Sequence, residues 1–372
     1  MESCEVLIVG GGPAGSTCAG RLRQAGLDVL LLDAQRFPRD KPCAGWITPA
    51  VLETLAIEPD DYRRGRVLEE IRGFRTSVMH GAELVTSYDR TVSYGIRRCE
   101  FDQYLLQRSA GRQILGEAVS MLERKDDCWL VNGRIMARLL VGAAGHTCPV
   151  ACSLGAKIGA EPVIVARAAE FARSDDRQLS CQVQSDTPEL FFSQDLKGYG
   201  WIVRKGGFLN VGFGRMDRAD FGRQMTGFRT FLEERGVVAP DDAVRYQGHA
   251  YLAWQPQGGR RRVGDGALLI GDAAGLAHRH SGEGILPAVE SALLAAQTIV
   301  AARGDYRRDR LESYAAKLTE RYGGGMASAR LLPAGLPGPI AARMFSSNLF
   351  VRYLLLDRLF LHQRQKTLSV EM

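Results

Sequence analysis

Gly10, Gly12 and Gly15, in the spacing Gly-x-Gly-x-x-Gly, and Asp33 eighteen residues further on are the residues whose types and positions most directly specify a chemistry. In this pattern the first glycine allows a tight turn and the second lets backbone approach a pyrophosphate. The third lets the following helix pack closely on its sheet. Pro13 and Ala14 stand where that helix begins, so its free N–H groups can meet the phosphates. Asp33, followed by Ala34, can accept hydrogen bonds from two ribose hydroxyls, and its charge leaves no room for a 2′-phosphate. A second pattern, Gly271-Asp272-Ala273-Ala274-Gly275, follows the apolar run 267–270 and offers an acid to a ribityl or ribose hydroxyl. An enzyme that only visits NAD has no use for this second site. One extended FAD uses both, with its AMP half on the first unit and its flavin half reaching the second, and FAD is the expected cofactor.

Specific elements must hold these residues. Residues 6–9 read as a buried strand, 14–25 as an amphipathic helix stopped by Gly26, and 28–32 as a second strand, together a βαβ unit. Residues 267–270 read as another buried strand running into a helix start. The two motifs bracket material without βαβ character, so the FAD-binding domain is expected to be discontinuous, comprising residues 1–72, 98–160 and 260–300. Residues 73–97 and 161–259 form a substrate or cap domain, and 301–372 a C-terminal helical region. Within the cap, 199–204 and 208–213 read as a hairpin, with another strand at 249–254. The expected fold is α/β, α+β overall, with a Rossmann-like FAD-binding domain, an inserted antiparallel-sheet substrate domain and a C-terminal helical segment. The aromatic-rich sheet face, with Trp46, Tyr199, Trp201 and Trp254, is expected to wall a pocket for an extended apolar substrate.

Composition excludes several classes of function. The 372 residues, 45% hydrophobic and 24% charged, suffice for a large core and roughly two domains. No signal-like segment precedes the first strand and no run of eighteen apolar residues occurs, so a cytoplasmic protein is expected. Eight cysteines without a Cys-x-x-Cys pair indicate reduced thiols, and Cys148 and Cys152 lack partner ligands, so no metal is expected. The net charge of +6 is spread over many arginines without a basic block, which argues against nucleic acid. From Leu331 the chain changes: a breaker-rich bend at 331–339 precedes apolar stretches at 341–345 and 349–361. The last stretch either packs on the protein's own surface or makes peripheral contact with a bilayer.

The fingerprint, Arg97-Arg98-Cys99-Glu100-Phe101-Asp102-Gln103-Tyr104-Leu105-Leu106, Leu140-Val141-Gly142-Ala143-Ala144-Gly145 and Gly271-Asp272-Ala273-Ala274-Gly275 come in the order of hydroxybenzoate-hydroxylase-type flavoproteins. Among these the chain most resembles the geranylgeranyl reductase family. The narrowing features are Lys41-Pro42-Cys43-Ala44-Gly45, similar to that family's Pro-x-x-Cys-x-Gly segment, and Ser281-Gly282-Glu283-Gly284-Ile285. The resemblance, over residues 1 to about 300, implies hydride transfer from reduced FAD to a C=C bond of a polyprenyl or other apolar substrate. It places Cys43, Ala44 and Gly45 beside flavin and substrate, where a thiol could shape the site or relay a proton. Trp46 would stack on the flavin or line the pocket, and Arg98 would reach the FAD phosphates or ribityl chain.

The loop after the Gly-Asp motif should pass the pyrimidine edge of the flavin. Backbone N–H groups at Gly282, Glu283, Gly284 and Ile285 could stabilise negative charge there, and His278 or His280 could protonate the carbon opposite hydride delivery. One departure stands out: hydroxylases of this fold usually show Asp-Gly where this chain has Ala144-Gly145. The missing acid puts direct NAD(P)H use in doubt and favours a ferredoxin-like carrier as electron donor. An oxygen-using monooxygenase acting on an aromatic or polyketide-like substrate remains the alternative.

Overall fold

A computed structural model describes residues 1–172, 182–216, 218–239, 244–255, 259–323 and 338–368. The bend expected at 331–339 falls largely outside the described residues. Strand Glu2–Val9 pairs in parallel with Val29–Asp33 on one side and with Ile135–Gly142 on the other. Val6, Leu7 and Ile8 are fully buried, which is why this strand reads as a continuous apolar run rather than an alternating one. The large sheet continues outward through Arg112–Leu115 at one edge and Ala267–Leu269 and Val263–Gly264 at the other. A meander, Leu122–Lys125 and Cys128–Val131, hangs from Ile135–Gly142. Helices Pro13–Gln24, Ile285–Ala301 and Arg308–Gly323 pack on this sheet, burying Leu22, Ala295, Ile299, Tyr314 and Leu318 in one core. The strand after which Gly271 comes ends in a single turn, Gly271–Ala274, and the long helix begins only at Ile285. The helix start expected directly after that strand is therefore displaced, because a ten-residue loop is interposed to carry site residues.

A second sheet runs in the order Gln247–Tyr251, Ile164–Ala172, Phe208–Arg215, Gly198–Lys205, Glu189–Phe192, Gly73–Val78, Leu84–Ser87. It is antiparallel except where Glu189–Phe192 meets Gly73–Val78 in parallel. The expected hairpin is present, closed by Lys205 paired with Phe208, and Gly206 in its turn takes φ +56°, a conformation that suits glycine. Helix Phe221–Glu234 covers one face with Phe228, Phe231 and Leu232. The other face is covered by the C-terminal segment, whose helices Gly338–Phe345 and Phe350–Phe360 bury Phe345, Val351, Leu355, Leu356 and Phe360 against Phe74, Leu190, Phe192, Trp201 and Val203.

A small sheet of Trp46–Ile47, Ser93–Ile96 and Leu68–Ile71 joins the two bodies. Strand Ser93–Ile96, grouped above with the cap, thus lies at the junction. The region expected as one helical unit from 301 to 372 divides between the bodies: Arg308–Gly323 completes the large core, and 338–361 completes the cap. Among the described residues no helix is long and apolar enough to cross a membrane.

Candidate active site

The C-terminal ends of the parallel strands define where a ligand must sit in a sheet of this kind. There Gly10, at φ +114°, lies against Ala143, whose backbone would be 2.6 Å from an added Cβ. A Cβ on Gly15 would stand 1.8 Å from the Gly10 carbonyl oxygen, so helix and turn meet only because Gly15 has no side chain. Asp33 accepts the Gly11 N–H at 2.6 Å and the Gln35 N–H at 2.8 Å, one on each carboxylate oxygen. Each oxygen keeps a lone pair for a ribose hydroxyl.

The positive charge expected of Arg98 is shared. Arg98 makes two bonds of 2.9 Å to Asp102, and Arg39 reaches the same carboxylate at 3.3 Å. Arg39 also lies 3.4 Å from where a Gly12 Cβ would be. Asp102 is fully buried and neutralises only one of the two guanidinium groups, leaving a net positive charge beside the glycine turn. Further along, Lys41 contacts His249 at 3.0 Å, and His249 lies 3.6 Å from the Asp272 carboxylate. Burial opposes a charge on Asp272, yet His249, Lys41 and Arg98 hold its carboxyl below the usual aspartate value. A glycine cradle, a surplus cation and two anchored acids fit the pyrophosphate, adenosine ribose and ribityl chain of FAD.

The Lys41–Gly45 segment is clamped from the cap. Lys205, fully buried, donates to the carbonyls of Ala44 at 3.1 Å and Ile96 at 2.9 Å and pairs with Glu170 at 2.5 Å. Asn210 donates to the Cys43 carbonyl at 2.9 Å and to Glu170 at 3.2 Å, and accepts the Trp201 indole N–H at 2.8 Å. Gly45 takes φ +64°, and a Cβ there would come within 2.4 Å of the Lys205 ammonium. The Cys43 thiol is half-buried. Trp46 stacks on Phe360 at 5.9 Å between ring centres, and Tyr199 meets the same phenylalanine at 5.2 Å. Trp201 stands 6.1 Å from Tyr199. Trp254 is not among them: it lies in the core of the large sheet, 5.7 Å from Tyr322 and beneath Arg262.

The loop after the Gly-Asp motif folds back on itself. The His278 N–H donates to the Glu283 carbonyl at 2.8 Å, and the Gly282 N–H to the His278 carbonyl at 2.9 Å. The Glu283 N–H reaches Ser281 Oγ at 3.3 Å. Two of the amides expected to face negative charge are thus engaged within the loop. What remains is the first turn of the helix at Ile285, whose N–H groups have no carbonyl one turn back. His278 is buried and stacks on His362 at 3.7 Å between ring centres, and His362 lies 3.2 Å from the Glu283 carboxylate. His280 is half-buried and near enough to His278 to oppose a charge on it. Burial pushes both clustered imidazoles down, His278 well below its ordinary value and His362 to about 4. Burial and the charge of Glu290 push Glu283 up to about 8.

Sequence reasoning missed Arg39, Glu170, Lys205, Asn210, His249 and His362. Lys205 and Glu170 had a weak signal, a charge within or at the end of a largely apolar strand that also carries an arginine, whereas nothing near His362 distinguished it.

Fold and site together are those of an FAD-dependent flavoprotein. Residues 3–90 match the FAD binding domain family. Menaquinone reductase of Mycobacterium tuberculosis is 32% identical over 376 residues, covering 92% of this chain and 88% of that one. Digeranylgeranylglycerophospholipid reductase 1 of Methanothermobacter thermautotrophicus is 26% identical over 345 residues, covering 87% and 84%. A geranylgeranyl bacteriochlorophyll reductase-like structure from Thermoplasma acidophilum superposes with a TM-score of 0.71 at 21% identity, over 93% of this chain and 88% of that one. The chain belongs to the geranylgeranyl reductase family of FAD-dependent oxidoreductases, and FAD is its cofactor.

Proposed function

We propose that the chain reduces C=C bonds in the isoprenoid chain of an apolar lipid. The observation that carries this reading is the clamped Cys43 segment, held where the flavin half of FAD must end and facing the aromatic side of the cap with Trp46 and Tyr199. An isoprenoid chain offers only dispersion and area burial to such a wall. Menaquinone and the digeranylgeranylglycerophospholipids named for the two relatives share that kind of chain.

Bound FAD, once reduced, supplies the hydride. The chain's own groups position it: the glycine turn and Arg39 with Arg98 hold the phosphates, Asp33 the ribose, and Asp272 the ribityl hydroxyls. Asn210 and Lys205 set the backbone of Cys43 and Ala44, so the thiol shapes the reacting face rather than moving freely. His278, buried and neutral, is poorly suited to be the proton source. Electrons reach the flavin from a ferredoxin-like carrier or from NAD(P)H, with Ala144 favouring the carrier.

The test is anaerobic mixing of the reduced holoprotein with a menaquinone or a geranylgeranyl lipid while the absorbance of oxidised flavin is followed. Return of that absorbance without oxygen, with a lipid product heavier by two hydrogens, is expected. Return only when oxygen enters would replace the reductase with the hydroxylase.

A further inference from the structure

Reducing a C=C bond adds a hydride to one carbon and a proton to the other. The hydride is the flavin's part of the proposed reaction, and the proton must come from the chain. We propose that Glu283, coupled to His362 of the C-terminal segment, is the proton source of the site. This rests on the reductase reading above.

The geometry is that of a sealed acid with a refill path. Donor atoms of His278, Glu283 and His362 all lie within 4.8 Å of one another. Both Glu283 carboxyl oxygens and His278 Nε2 are shut off from solvent, and the polar groups near the carboxyl are the His362 imidazole and the Leu286 N–H. A carboxyl buried with so few partners needs a reason, and a group that must give up a proton supplies one. His362 Nε2 stands 3.2 Å from Glu283 Oε2 and 3.3 Å from Ser281 Oγ, so the imidazole links the acid to a hydroxyl on the loop. Ser281 in turn accepts the Tyr199 hydroxyl on its carbonyl, and the Tyr251 hydroxyl packs against Gly282. The acid therefore sits where the Gly-Asp loop, the tyrosines of the cap and the C-terminal segment meet.

Every neighbouring charge favours the protonated carboxyl or is already spent. His278 and His280 share its loop, and burial keeps His278 neutral, as it does His362 on the C-terminal segment. Glu290, on the helix from Ile285, adds negative charge. Arg321, on the helix Arg308–Gly323, is held by Glu290 itself. At neutral pH the cluster thus carries one transferable proton, on the carboxyl, and two uncharged imidazoles. The step balances. One alkene carbon gains the hydride and the other the Glu283 proton, the flavin loses two electrons, and the carboxylate left behind is reprotonated through His362 from the solvent side.

The test uses the FAD-loaded full-length protein. Infrared titration should show a carboxylic-acid C=O band that disappears between about pH 7 and 9, that is missing in Glu283→Gln, and whose midpoint moves in His362→Gln. In single turnovers Glu283→Gln should slow lipid-driven flavin reoxidation by about 100-fold or more, with Glu283→Asp recovering part of the rate. Flavin reduction by dithionite should be unaffected. The same band in Glu283→Gln, wild-type turnover by that variant, or stoichiometric zinc or iron in the purified protein would overturn the proposal. A wild-type protein that shows the band yet reduces no lipid would instead bring down the reductase reading.

Discussion

Lys205 has a position that few lysines tolerate, with no exposed surface and three oxygen partners supplied by segments far apart in sequence. Burial pushes its ammonium below the ordinary lysine value, with Glu170 opposing. Lys205→Met removes the cation that donates to the Ala44 and Ile96 carbonyls and leaves Glu170 short of a partner. The loss should be about 3 kcal/mol, read as a lower urea midpoint at unchanged slope. The glycine turn could be foreseen because its constraint is local: Gly10, Gly15 and the Asp33 acid interact across a few dozen residues. The Lys205 cluster could not, since Cys43 lies 167 residues from Asn210 and Ile96 lies 109 from Lys205. A sequence shows a charged residue in a strand, but not which distant carbonyls it satisfies.

At the scale of elements, the C-terminal segment packs into the cap on one side and is exposed on the other. Phe345, Val351, Leu355 and Phe360 enter the cap, while Ile340 (49% exposed), Leu349 (71%) and Tyr353 (58%) are exposed. Arg343 and Arg358 are exposed on the same segment, and Arg352 bonds to the Ser87 carbonyl of the neighbouring strand. An apolar ridge flanked by arginines suits contact with an anionic bilayer, from which an apolar lipid would enter. Deleting the segment is a poor test, because it would uncover Phe74, Phe192 and Trp201. Leu349→Asp with Tyr353→Ser spares the cap. That double variant should lose flotation with phosphatidylglycerol vesicles while keeping its bound FAD, and equal recovery of both proteins would remove the membrane contact. The 3.6-residue periodicity told only that this segment is apolar on most sides, since a helix wedged between a sheet and solvent looks much like one that is fully buried.

For the molecule as a whole, the buried acid–imidazole cluster sets how stability depends on pH. An unfolded glutamate ionises near pH 4.3, whereas folded Glu283 holds its proton to about 8. Through that window the unfolded state sheds the proton first, so the contribution of Glu283 to stability falls as pH rises. His362 works at the other end: it charges near pH 6.5 when unfolded but only near 4 when folded, so stability falls as pH drops between those values. Glu283→Gln should remove the first slope, its melting temperature gaining on the wild type steadily from pH 5 to 8 in parallel thermal scans. The two-body plan itself was legible from the separation of the two FAD motifs. The division of the last seventy residues between both bodies was not, because membership follows from which core an apolar stripe completes, and both cores were open to it.

That division has a consequence for synthesis. The ribosome delivers the chain in order, so strands 73–78 and 189–205 emerge with their aromatic face bare, long before residues 345–361 exist to cover it. The large sheet likewise waits for Ala267–Leu269 and for the helix Arg308–Gly323. Neither body can close as the first half of the chain appears: Phe74 stays uncovered for most of translation, and Phe192 and Trp201 from their synthesis near the midpoint until the final segment arrives. Aromatic surface left bare that long is where aggregation competes with folding.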